Sequence, residues 1–176
     1  MECATIRWFA LHVRSRHEKV VQAQLAAKQE QVFLPLYTAR HKWADRLKTV
    51  SLPLFPGYVF CRFDVSRRST VLATSGVIDI VRSGAEPAPI DTGEIEAIQR
   101  VVQSPLYSEP YGGLAAGQCV MMSVGPLAGL KGTLITIRRD LRLILSVELL
   151  QRSVMVEIER EWVVPCGNGP TPDKTQ

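Results

Sequence analysis

The sequence predicts an α+β fold, a sheet flanked by helices followed by a small β-barrel. Three observations carry the prediction. Over residues 1–104, stretches with period-two apolar alternation interleave with two helix-opening capping boxes. Residues 105–116 then shift to Pro, Gly, Ser and Tyr, the composition of a linker. Beyond them, roughly five short alternating stretches with glycine turns crowd into about fifty residues, as in a small closed barrel. The expected division is a first domain over 1–104, a linker over 105–116, a second domain over 117–165 and a disordered tail over 166–176.

Each element follows from its residues. Residues 6–14 alternate, with Phe9, Leu11 and Val13 on one face and Trp8, Ala10, His12 and Arg14 on the other, which turns polar along its length. Ser15-Arg16-His17-Glu18 reads as a capping box, opening a helix to about Gln29 with Val21 and Leu25 stacked at i, i+4. Residues 32–37 read as a strand with Pro35 at an edge or bulge. The basic run 38–50, with Arg40, His41, Lys42, Arg46 and Lys48 around Trp43, lacks Gly and Pro and reads as a long hairpin reaching from the body. A strand to Phe63 follows, then a short helix over 66–75 closed by Gly76, and a strand over 77–81. Residues 86–90 are extended. Asp91-Thr92-Gly93-Glu94 opens a helix with Ile95, Ile98 and Val102 on one face.

In the middle of this layout stands Leu54-Phe55-Pro56-Gly57-Tyr58-Val59-Phe60, a turn followed by an aromatic strand. Pro56 fixes its own φ and favours extended geometry at Phe55, while Gly57 permits a φ that other residues resist. Tyr58 and Phe60 then share a face. Such a face is either packed in the core or offered to a partner.

The net charge is +4, and it is uneven. Residues 1–50 hold nine Lys/Arg against four Asp/Glu, whereas residues 108–176 hold seven of each. The basic first part is either a solvated face or a surface for nucleic acid. Four scattered cysteines (Cys3, Cys61, Cys119, Cys166) without C-x-x-C, and three histidines without ligand spacing, argue against a zinc site or a disulfide framework. The cysteines read as small hydrophobes or incidental thiols. No metal and no cofactor are expected. No apolar run is long enough for a membrane helix and the first residues do not begin a signal peptide, so a cytoplasmic monomer without membrane contact is expected.

Three pieces in order carry a resemblance: Arg7-Trp8-Phe9-Ala10 leading to Glu18; Leu54-Phe55-Pro56-Gly57-Tyr58-Val59; and Gly125-Pro126-Leu127-Ala128-Gly129-Leu130-Lys131-Gly132, with Pro87-Ala88-Pro89-Ile90 also fitting. The chain resembles the NusG family of bacterial transcription elongation factors over residues 6–165. That resemblance implies an NGN domain, an antiparallel sheet between helices, joined to an SH3-like KOW barrel. It implies binding of the clamp helices of the RNA polymerase largest subunit by an apolar pocket, here Trp8, His12, Phe55, Tyr58 and Phe60. It places Arg67, Arg68 and Ser69 near the second large subunit.

Val13 to Lys19, the 33–37 stretch and residues 149–153 look most like the specialised RfaH-like and UpxY-like antiterminators. In those paralogs this edge touches the non-template DNA strand, which makes Arg14, Arg16, His17, Lys19 and the hairpin's Arg40 nucleic-acid candidates. Leu130 and Leu150 fall at barrel loop tips that recruit Rho or a small-subunit ribosomal protein in the family, and both fit a core role equally.

Two other classes compete. An enzyme is disfavoured: Gly132 follows Lys131 where a phosphate loop needs Ser or Thr, and there is no nucleophile elbow and no H-E-x-x-H. An RNA-binding KOW protein associated with translation or ribosomes is the alternative. Its basic charge would lie on the barrel, which here is neutral.

Overall fold

Buried apolar residues on both faces from Trp8 to Leu11 place β1 (Ile6–Val13) at the centre of an antiparallel sheet. It pairs with β5 (Tyr58–Asp64), setting Ala10 opposite Phe60 and His12 opposite Tyr58. On the outer side of β5 runs β2 (Gln31–Phe33). The other edge of β1 receives β6 (Val77–Ile80) and β9 (Pro89–Ile90). The computed structural model describes residues 6–43, 46–112, 117–137 and 140–166, with the side chains of 40–43, 46–48 and 137 left aside.

The long basic hairpin is present as β3 (Leu36–Trp43) and β4 (Arg46–Pro53), in register from Leu36 opposite Pro53 to Trp43 opposite Arg46. The expected single strand over 32–37 is instead two. Pro35 cannot donate to a ladder, so β2 ends before it and the Pro35 carbonyl accepts from Leu54 N–H at 2.9 Å as the chain turns into the hairpin. A smaller pair, β7 (Arg82–Ser83) and β8 (Glu86–Pro87), leads into β9.

Three α-helices flank this sheet: α1 (Glu18–Ala27), α2 (Arg68–Leu72) and α3 (Thr92–Gln103). In α3 the Asp91 carboxylate accepts from Gly93 N–H at 2.7 Å, the expected cap. Its buried residues are Ile95, Ile98 and Val101; Val102 is exposed, a correction of one position in the expected face. The first capping box differs more. His17 is the cap residue of α1 and makes no side-chain capping bond, because Arg16 takes a positive φ of 65° and Glu18 is drawn elsewhere.

The C-terminal part is a six-stranded antiparallel sheet in the order β10-β14-β13-β12-β11-β15. Its members are β10 (Ser108–Tyr111), β11 (Gln118–Met122), β12 (Lys131–Ile137), β13 (Asp140–Val147), β14 (Arg152–Ile158) and β15 (Val163–Pro165). Among the described residues no ladder joins β10 to β15, so the row has two ends. The stretch expected as a free linker contributes β10, which pairs with β14 from Ser108 opposite Val156 to Tyr111 opposite Ser153. Pro110 is tolerated there because β10 is an edge strand. The tail from Gly167 lies outside the described residues.

Two apolar clusters result. Phe9, Leu11, Val13, Val59, Cys61 and Phe63 pack on Val21 and Leu25 of α1 and Val71 of α2. On the opposite face, Trp8, Ala10 and Phe60, with Phe55, join Ile95, Ile98 and Val101 of α3 in a cluster that continues into Val147, Leu150 and Val154 of the C-terminal part.

Candidate functional site: an aromatic face and its basic edge

The turn before β5 is built as its residues demand. Tyr58 N–H donates to the Phe55 carbonyl at 3.1 Å, and Gly57 takes φ 84°, a region that disfavours side chains. Glu18, buried at the start of α1, accepts from Gly57 N–H at 2.9 Å. Val13 N–H donates to the Gly57 carbonyl at 2.9 Å. These two bonds hold the turn to the end of β1 and the start of α1, and so fix the direction in which Tyr58 and Phe60 leave it. Glu18 is a residue that sequence reasoning misassigned: its i, i+3 spacing from Ser15 signals a cap, whereas its true partner is thirty-nine positions away.

The aromatic face is continuous. Phe55 meets Phe60 edge-on with centroids 5.4 Å apart, Phe33 stacks on Phe60 at 6.1 Å, and His12 lies 5.6 Å from Tyr58. Trp8, Phe55 and Phe60 are buried, Tyr58 is half-buried and His12 is exposed. The rim at His12 and Tyr58 opens into a cleft of about 210 Å³ bounded by Asp79 and Arg82. A 2.6 Å hydrogen bond from Arg82 holds the Asp79 carboxyl below its ordinary value.

What buries the rest of the face is the chain itself. Arg100 of α3 reaches the C-terminal part, donating to the Ala128 carbonyl at 2.6 Å and the Pro126 carbonyl at 3.2 Å. Glu94 accepts from Glu148 N–H at 3.3 Å. Arg152 places its guanidinium 5.6 Å from the centre of the Tyr58 ring. Leu150 is buried in the apolar cluster that also holds Phe55 and Phe60, and Leu130 is partly buried against the same cluster. Arg100 carried no sequence signal, and although Glu94 stood in a capping box and Arg152 in the 149–153 stretch, no local pattern spans the gap to their partners.

The basic edge lies beside the turn. Arg14, Arg16, His17 and Lys19 are all exposed between the end of β1 and the first turn of α1. His17 Nδ1 is 3.0 Å from the Ser15 carbonyl, and Lys19 Nζ donates to the Ser51 carbonyl at 3.0 Å, tying α1 to the hairpin. Arg40 lies in β3 of that hairpin.

Arg67, Arg68 and Ser69 are also exposed, but Arg67 is engaged: its Nη2 stands 2.8 Å from Oε1 of Glu30, whose side chain is 4% exposed. Behind them burial pushes the Cys61 thiol up to about 12, with the Glu30 carboxylate adding to the effect. Among the described residues no three of His, Cys, Asp and Glu converge as metal ligands would. None of the described helices is long and apolar enough to cross a membrane.

Against known structures, the chain superposes on one described as "Domain interaction in Thermotoga maritima NusG" with a TM-score of 0.59 and 21% identity, covering 90% of this chain and 96% of that one. A weaker match is to the MjSpt4:Spt5 complex in conformation B, with a TM-score of 0.33, 17% identity and coverage of 93% and 99%. The first likeness confirms the α+β architecture. The family model described as "Transcription termination factor nusG" matches residues 6–99, which span the five-stranded sheet, the aromatic turn and most of α3. By that match over more than half of its length, the chain belongs to the NusG family of transcription factors.

Proposed function

We propose that the protein is a transcription elongation and antitermination factor that docks on bacterial RNA polymerase through the aromatic face. The observation that carries this is the aromatic cluster of Trp8, Phe55 and Phe60, covered by α3 and the C-terminal part, which reaches an open rim at half-buried Tyr58 and exposed His12 beside an exposed basic edge. An apolar face of this kind suits the tip of a helical hairpin, the clamp helices of the largest subunit. Arg14, Arg16, His17 and Lys19, together with Arg40 on the hairpin, would then face the non-template DNA strand and hold it by its phosphates. Arg68 and Ser69 are the freer candidates for the second large subunit, because Arg67 is committed to Glu30.

A factor bound on both sides of the cleft favours the closed clamp over the open, paused state by its differential affinity for the two. No bond is made or broken. In this reading the chain divides into an NGN domain over 1–104, a connection over 105–116 and a KOW domain over 117–165. The KOW domain, resting on the aromatic face, competes with the polymerase for it. Once displaced, it offers Leu130 and Leu150 to Rho or a ribosomal protein. The resemblance to the RfaH-like and UpxY-like paralogs further supports a role confined to particular operons.

The test is binding of the full chain to purified core RNA polymerase on a DNA–RNA scaffold. Tyr58→Ala, at the half-buried rim, is expected to weaken binding at least tenfold while circular dichroism stays that of the parent. Equal binding by the folded variant, or no binding by the parent chain, overturns the proposal.

A further inference from the structure

Two of the scattered cysteines are brought together by the C-terminal sheet. Cys119 sits in β11, and Cys166 directly follows β15. The β11–β15 ladder runs Met122 opposite Val163, Met121 opposite Val164 and Val120 opposite Pro165. Continued by one step, it sets Cys119 opposite Cys166. The backbone confirms that step, since Cys166 N–H donates to the Cys119 carbonyl at 3.1 Å. The sulfurs are 2.7 Å apart although the residues are 47 positions apart in sequence. Directly opposed residues of an antiparallel pair have Cα atoms about 4.5–5.5 Å apart, inside the span that a disulfide bridges.

Exposure separates this pair from the other described cysteine. Cys119 is exposed and Cys166 is half-buried, so a small oxidant reaches both. Cys61 is fully buried with its thiol pushed up to about 12, which keeps it protonated and inert. The Cys166 thiol is also held above its ordinary value, chiefly by its hydrogen bond to Cys119. Exchange at the pair therefore quickens as pH rises.

We propose that Cys119 and Cys166 are a reversible modification site, oxidised to a cross-strand disulfide that staples the last strand to β11. The oxidant is a low-molecular-weight disulfide of the glutathione class. One protein thiolate attacks a sulfur of oxidised glutathione, forming a mixed disulfide and releasing one glutathione thiolate, which takes up a proton. The second protein thiol, on losing its proton, attacks the protein-side sulfur, closes the Cys119–Cys166 bond and expels the second glutathione. Two protein thiols lose two electrons and two protons, and one glutathione disulfide becomes two glutathione thiols.

The bond closes a loop that contains β12–β15 and all of β11 but Gln118. It therefore restricts the unfolded chain of that sheet and holds its last strand in the ladder. Where glutathione is kept reduced the pair rests as thiols, and under oxidation it closes.

The experiment incubates the full chain with oxidised glutathione, blocks remaining thiols with iodoacetamide, and maps the digest by mass spectrometry. A peptide linking Cys119 to Cys166 is expected as the dominant product, with Cys61 alkylated only after unfolding. The melting temperature of the oxidised chain should rise by about 5–10 °C, and dithiothreitol should reverse the rise. Cys119→Ser and Cys166→Ser should each abolish the linked peptide and the rise, while melting like the reduced parent. A stable glutathione adduct on one of the two cysteines, or dominant links from either to Cys3 or between chains, overturns the proposal.

Discussion

One face of the N-terminal sheet is sealed by helices that follow its own strands, the other by α3 and a sheet brought from the far end of the chain. On the first face Phe9, Leu11, Val59, Cys61 and Phe63 meet Val21, Leu25 and Val71, with Glu18, Glu30 and Thr74 buried at the margins of the contact. On the second face the apolar contact between Phe55, Phe60 and the C-terminal cluster is edged by charge: Arg100 on two carbonyls, Glu94 on an amide, Arg152 over Tyr58. A junction between two parts of a chain resembles a transient interface, and one with a polar rim is hydrated at little cost when it opens. The first face is therefore expected to act as a permanent core and the second, closed partly from the far end of the chain, as one with a separable cover.

The largest effect expected from this contrast is on the permanent side. Leu11→Ala removes a fully buried side chain and should cost about 3 kcal/mol in urea unfolding of the full chain. A loss below about 1 kcal/mol would mean that this face collapses or opens as readily as the other, and the contrast would fail.

An intermediate effect belongs to the rim of the cover. Arg100→Met deletes the donor to Pro126 and Ala128 and should weaken the cover by about 1–2 kcal/mol. Amide hydrogen exchange reads it as roughly tenfold faster opening around residues 126–130, with the amides of β1 unchanged. Equal acceleration in β1 would show that the two parts open as one.

The smallest effect is a pH dependence. Burial holds the Glu94 carboxyl above its ordinary 4.5, against the lowering effect of the bond from Glu148 N–H and with the Glu148 carboxylate adding to the rise. The docked state therefore takes up protons. Its contribution from this group is complete below 4.5 and is lost as pH rises through the raised value. Opening measured by exchange should increase modestly over that window, and Glu94→Gln should flatten the profile. An unchanged profile in the variant would assign the dependence to another group.

The elements were largely legible because their signals are local. Alternation in β1 and β13, the long hairpin, and the Asp91 cap each lie within a few residues of what they determine. The aromatic set around the Phe-Pro-Gly-Tyr turn was legible as a face, and the structure assembles it as one. Errors arose where a local rule met a distant competitor. Glu18 has the spacing of a cap but bonds to Gly57, and Pro110 and its neighbours have a linker's composition but find β14.

By itself, then, the sequence determined which side chains share a face, where strands break and where helices begin, because periods of two and 3.6 and the φ preferences of Pro and Gly act within one element. Only the tertiary structure decided what covers the aromatic face, which carboxylates are buried against which donors, and that Cys119 meets Cys166. Those depend on contacts between segments tens of residues apart, whose pairing is chosen by the total burial and hydrogen bonding of the folded chain and leaves no mark in the spacing of neighbours.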